Sequence, residues 1–229
     1  MAHKSIDNPK RDQEIKFDMK TPIVIEPATS FHGEKIPDLI FSTAPSVYGH
    51  SFLNDRSLFD RFMLASWTAP ASSYGYRETT IARDTDDLLG IEIGYGGERY
   101  YELHENGSPV GRTLIENGSA TVEQMKAVGR ASYDTNFQIP YVPADAYYVM
   151  SLAVTEASRG KGIGAMLLNN ALEEAQKAGY RTLHLDVLAD NPAVEFYKRL
   201  GLTCMVESVS PQLREFDLPV EYRMVKRLR

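Results

Sequence analysis

YYVMSLAVTEASRGKGIGAMLLNNALEEAQKAGYRTLHLDVLADNPAVEFYKRLGL, residues Tyr147 to Leu202, is the stretch around which the chain is organised. Its opening segment, Tyr147 to Val154, is almost wholly apolar, which predicts a strand buried on both faces. Ser158-Arg159-Gly160-Lys161-Gly162-Ile163-Gly164 follows. Glycines at alternate positions leave backbone N–H groups uncovered by side chains. They fall where a helix begins, and a helix N-terminus favours anions. Arg159 and Lys161 add positive charge beside those donors. The pattern suits a phosphate or pyrophosphate.

The helix after this turn is expected to run to about Ala178. Leu168, Ala171, Leu172 and Ala175 recur at the spacing of one buried helical face. Glu173 and Lys177 stand in the favourable order for an ion pair one turn apart, and Gly179 marks the stop. Thr182 to Val187 alternates as a strand, with Leu183, Leu185 and Val187 on one face. Asn191-Pro192 then predicts a second helix, with Asn191 as N-cap and Pro192 at the first helical position. Ala193, Phe196, Tyr197 and Leu200 give its inward face, and Gly201 ends it.

Two marks in this stretch carry a family resemblance. They are Arg159-x-x-Gly162-x-Gly164 after a strand, and Asn191-Pro192-Ala193-x-x-Phe196-Tyr197-x-x-x-Gly201 beyond the next strand. With both in this order and on these elements, the chain resembles the GNAT superfamily of N-acetyltransferases. The resemblance implies an α/β fold of the α+β type: a mixed, mostly antiparallel central sheet flanked by helices, with a V-shaped opening for acetyl-CoA. It implies transfer of the acetyl group to a primary amine by direct attack on the thioester, with no metal.

The resemblance also implies roles. The turn Arg159, Gly160, Lys161, Gly162, Ile163 and Gly164 would bind the CoA pyrophosphate through backbone N–H groups. Leu152, Ala153 and Val154 match the strand end that pairs with the pantetheine arm and points an N–H at the thioester oxygen, stabilising an oxyanion. Asn191 and Ala193 match cofactor-contacting positions, although Asn191 also reads simply as a helix cap. Tyr197 matches the general acid. A phenol with a pKa near ~10 can protonate a departing thiolate with a pKa near ~8.5 without ionising first. The plainer alternative is a core aromatic. Some members carry a carboxylate or histidine as general base on the fourth strand, near Tyr147, Tyr148 or Val149 of this chain, where the sequence has tyrosines. The base is therefore open between a water chain, Asp145, Glu92 and another group. His184 reads as a structural histidine.

The chain has 229 residues, 43% of them hydrophobic, which suits one domain with a sizeable core. A net charge of −6 and a pI of about 5.4 argue against nucleic-acid binding as the main activity. Cys204, the one cysteine, excludes an internal disulfide and reads as a small buried hydrophobe. No apolar run is long enough to span a bilayer, and residues 1–20 lack a signal-peptide core, so a cytoplasmic location is expected. Residues 1–20 read as a flexible arm and 21–229 as a single domain. Dimerisation is common in the family.

Upstream, Ile23 to Glu26 reads as the first strand, and Phe31 to Trp67 as mostly helical, with Asp55 to Ala65 the clearest helix. Pro70 to Tyr76 reads first as an ordinary surface loop and, in the alternative, as one able to close over a substrate. Glu78 to Arg83 and Leu88 to Gly94 read as strands joined by an acidic turn. Between Gly94 and Pro143 the pattern weakens: Tyr95-Gly96-Gly97 and Glu116 to Ser119 look like turns, and Thr121 to Tyr133 like a helix. This long segment is read as shaping the acceptor pocket, whose enclosure points to a small-molecule amine. Leu202 to Val209 and Glu221 to Leu228 are expected strands, joined by a loop from Pro211 to Pro219.

Two rival readings use the same residues. Gly160-x-Gly162-x-x-Ala165, with Asp186 further on, fits a loose dinucleotide-binding pattern and hence an oxidoreductase. That reading leaves the motif from Asn191 to Tyr197 unexplained, and its glycines begin well after Val154. The other rival is a non-catalytic module that binds or senses acyl-CoA.

Overall fold

The computed structural model describes residues 22–228 other than 86, 106, 217 and 219. The expected arm at residues 1–20 lies outside them. One sheet of seven strands runs through the described residues, in the order β1-β2-β3-β4-β5-β7-β6. Its strands are β1 (Val24–Pro27), β2 (Thr79–Arg83), β3 (Leu88–Gly96), β4 (Ala146–Val154), β5 (Thr182–Leu188), β6 (Thr203–Ser208) and β7 (Glu221–Arg227). Every neighbouring pair is antiparallel except β4–β5. This is the mixed, mostly antiparallel arrangement expected, and it removes the dinucleotide reading, which needs a parallel sheet.

Helices cover both faces. Between β1 and β2 lie α1 (Ile36–Phe41), α2 (Pro45–Ser51) and α3 (Arg56–Thr68). Between β3 and β4 lie α4 (Gly97–Glu105), α5 (Gly107–Glu116) and α6 (Val122–Asn136). These pack on the face that carries Ile91, Ile93, Tyr95 and Tyr148, around Leu58, Phe59 and Met63. On the other face lie α7 (Ile163–Lys177) and α8 (Ala193–Arg199). Leu168, Ala171 and Leu172 of α7 and Val194 and Tyr197 of α8 pack there on Val149, Leu183 and Leu185. The short α9 (Pro211–Arg214) lies within the loop before β7.

The β4–β5 pair positions the site. Its ladder runs only from Ala146↔Thr182 to Val149↔Leu185, while β4 stays paired with β3 out to Val154. Beyond Val149 the two strands part. At the same point the β3–β4 register steps from Ile93↔Ser151 to Gly94↔Val149, leaving Met150 as an extra residue. Such a bulge bends its strand and sharpens the local twist, which here carries β4 away from β5.

Several local expectations are corrected. Tyr95 and Gly96 continue β3, paired with Tyr148 and Tyr147, instead of forming a turn. The helices α4 and α5 were not legible, because glycines open both and Gly111 lowers the helix propensity of the second. Lys177 bonds Glu174 at 2.7 Å, not Glu173. Cys204 is exposed on the edge strand β6. α8 begins at Ala193, one residue later than the spacing suggested, while the Asn191 Oδ1 accepts from the Ala193 N–H at 2.9 Å as the expected cap.

Candidate active site

A cavity of about 930 Å³ enters the protein where β4 and β5 part. Met150 to Val154 of β4 form one wall, and Asn191, Ala193 and Tyr197 another. Tyr48 of α2, Phe52 just beyond it, and Phe62 and Met63 of α3 also line the cavity. The long β3–β4 connection contributes His104, Val128, Ser132 and Thr135, and the loop before β2 contributes Ser72, Ser73 and Tyr74. Asp186 of β5 and Glu221 of β7 complete the lining. Residues of the Gly94–Pro143 segment and of the Pro70–Tyr76 loop therefore both line this space.

The open edge of β4 has defined polarity. Thr155 N–H donates to Leu89 O at 2.8 Å, toward β3. The Ala153 carbonyl also lies toward β3, close to Gly90. Groups on a strand alternate in direction, so the N–H groups of Leu152 and Val154 face the gap, where β5 no longer supplies acceptors.

The turn beyond β4 holds Gly160 and Gly162 at φ of +75° and +83°. A side chain there would be strained in the left-handed region. Among the described residues, the N–H groups of Gly162, Ile163 and Gly164 donate to no backbone carbonyl, whereas Met166 N–H begins the helical ladder on Gly162 O. These are the free donors of a helix start. Ile163 anchors the turn by burying its side chain. Arg159 lines the cavity, and Lys161 is exposed. The turn thus lies next to the gap on the same side of the molecule as Tyr197.

Tyr197 is 7% exposed and lines the cavity from α8. Burial raises its phenol above the ordinary value, so it keeps its proton at neutral pH. Asn191 does cap α8, and its Nδ2 also donates to Thr43 O at 3.4 Å, tying α8 to the segment before α2.

Other polar groups on the wall were not found from sequence. Asp186 receives Arg223 Nε at 2.5 Å and Nη2 at 2.7 Å, and the Tyr148 hydroxyl at 2.9 Å. The Arg223 side chain is fully buried, and it also donates to the carbonyls of Pro140 and Tyr141. His184 rests against the same guanidinium, and burial lowers it to about 4, as befits a structural histidine. Two residues along β7, Glu221 is raised to about 8, chiefly by burial and then by Asp186. His104 Nδ1 lies 2.8 Å from Tyr100 O and so carries the proton. Its Nε2 is buried without a partner among the described residues, as is Ser151 Oγ.

The two groups raised earlier as bases lie elsewhere. Asp145 forms an exposed pair with Arg181 at 3.5 Å. Glu92 accepts from the Tyr147 hydroxyl at 3.3 Å and is absent from the cavity wall. No group of ligating side chains able to hold a metal occurs among the described residues, and no helix among them is long and apolar enough to cross a membrane.

The sequence model of the Acetyltransferase (GNAT) family matches residues 83–202. An uncharacterized N-acetyltransferase of Methanocaldococcus jannaschii is 39% identical over 181 residues, which cover 73% of this chain and 77% of that protein. An N-acetyltransferase from Staphylococcus aureus Mu50 has a similar structure, with a TM-score of 0.66 at 16% identity across 89% of this chain and 100% of that one. A Bacillus subtilis acetyltransferase solved in complex with CoA gives a TM-score of 0.51 at 14% identity, across 92% of this chain and 100% of that one. At these identities the structural likeness concerns the fold.

Proposed function

The chain belongs to the acetyltransferase (GNAT) family, and from that membership we propose that it moves the acetyl group of acetyl-CoA to the primary amine of a small molecule. It is an N-acetyltransferase of a family that uses acetyl-CoA and acts on amines. The observation that carries the finer reading is the gap between β4 and β5, whose open backbone edge adjoins a deep cavity lined by Tyr197. We read residues 21–229 as one domain, since a single sheet connects β1 to β7.

The residues present fit acetyl-CoA. The free N–H groups of the Gly162–Gly164 turn, with Arg159, Gly160 and Lys161, suit its pyrophosphate. The edge of Leu152, Ala153 and Val154 suits an extended amide-bearing arm, with one N–H left for the thioester oxygen. Ala193 and Asn191 would border the arm from α8. The amine attacks the thioester carbon, the C–S bond breaks, and the thiolate takes the proton held by Tyr197. An acceptor pocket enclosed by α2, α3, α4 and α6 favours a small molecule over a protein tail.

Free-thiol release from acetyl-CoA across a panel of primary amines tests this reading. Wild-type protein should turn over at least one small amine. Tyr197→Phe should lower kcat by about 100-fold while leaving the Kd for acetyl-CoA unchanged. Tight acetyl-CoA binding with no transfer to any amine would support the sensing alternative instead. An unchanged kcat in Tyr197→Phe would remove the acid role.

A further inference from the structure

The charged residues that line the cavity are mostly acidic. Asp186, Asp190 and Glu221 line it, and among the described lining residues the one permanent cation is Arg159, at the turn read above as the diphosphate site. Arg223, the nearest other cation, is absent from the lining and is committed to Asp186 and two carbonyls. Asp186 is thereby neutralised. Asp190 is exposed. Glu221 has no ion pair or hydrogen bond to its carboxylate among the described residues.

Shape and position add to this. Tyr48, Phe52, Phe62, Tyr74 and Tyr148 place aromatic rings in the wall, among serines and aliphatic side chains, and such rings suit a flat apolar body and favour a cation above them. Glu221 pairs with Leu188 at the end of β5, the end at which β4 and β5 have already parted. It therefore lies level with the gap, while Arg223 and Asp186 lie one layer deeper.

We propose that the acceptor is a primary amine with an apolar, ring-sized body and no anionic group, and that the Glu221 carboxylate receives its ammonium and takes the first proton. The proposal rests on the N-acetyltransferase reading. The protons balance. Of three on the ammonium, one passes to Glu221 and thence to solvent, and one stays on the amide. The last, released as the C–N bond forms, replaces the proton that Tyr197 gives to the CoA thiolate.

The charged and titratable groups around Glu221 are Asp186 on β5, Arg223 on its own strand, Tyr48 on α2 and Tyr100 on α4. Burial and Asp186 raise Glu221 and Arg223 opposes them, with a result of about 8. That strength approaches the ~10 of a primary ammonium, so proton transfer between them is not steeply uphill. Since only the ionised carboxyl accepts a proton, kcat/KM should rise with pH through this value.

The test uses matched pairs: 2-phenylethylamine against L-phenylalanine, and tyramine against L-tyrosine, each differing by one carboxylate. With saturating acetyl-CoA and at about pH 9, where Glu221 is ionised, kcat/KM should favour the decarboxylated member by about 100-fold, since a like charge would face Glu221 without a counter-ion. Glu221→Gln should lower kcat/KM by about 100-fold, lose the limb near 8, and keep acetyl-CoA binding. Glu221→Asp should restore part of the rate and the limb. Equal turnover of the amino acids, or acetylation of other amines while both pairs stay inert, overturns the substrate assignment. An unchanged rate and pH profile in Glu221→Gln, or a wild-type profile without the limb, overturns the role of Glu221. Acetyl-CoA binding without transfer to any amine refutes the N-acetyltransferase reading itself.

Discussion

Glu92, fully buried, and Glu221, half-buried beside the cavity, are both raised to about 8, chiefly by loss of solvent around the carboxyl, yet they face different surroundings. Glu92 is 1% exposed on the α7 side of the sheet, where it lies over Gly94 and meets the Tyr147 hydroxyl. A Cβ at Gly94 would collide with that carboxylate. Glu221 borders the cavity. The Glu92 carboxyl is raised in the folded state, so the unfolded chain loses that proton first and stability falls as pH rises from about 5 to 8. Glu92→Gln stays neutral throughout. Its stability relative to wild type should therefore grow across that window, by roughly 3–4 kcal/mol between pH 5 and pH 8. Urea unfolding at pH 5 and pH 8 measures this; identical pH slopes in the two proteins would contradict it.

At the scale of elements, what was legible in sequence was local. The strand, glycine turn and helix from Tyr147 to Lys177, and the Asn191 cap of α8, each specify themselves within a few residues. The acceptor wall does not. Asp186, Glu221 and Arg223 meet because β7 returns antiparallel to β5. In sequence, Glu221 and Arg223 read as the solvent-facing half of an alternating strand, and burying them breaks that rule. Ser132, Thr135 and His104 reach the cavity only through the packing of α4 and α6. If α6 walls the acceptor space alone, Ser132→Phe should raise the KM for the accepted amine by about tenfold or more, with acetyl-CoA binding retained. Amine kinetics like those of wild type would show that α6 stands clear of the substrate.

For the whole molecule, the sheet divides the labour. Its α7–α8 face presents the turn and Tyr197, and its α1–α6 face presents the aromatic and acidic wall. The gap between β4 and β5 joins the two faces. The account stands on that gap being the acetyl-CoA site. Thermal unfolding of the purified protein, alone and with acetyl-CoA, CoA or NADH, measures this most directly. A ligand held at about 100 times its Kd stabilises the folded state by about 2.7 kcal/mol, which for a chain of this size raises the Tm by roughly 5–10 °C. The account predicts such a rise with acetyl-CoA and CoA and none with NADH. No shift with either CoA compound, or a shift with NADH alone, would contradict it.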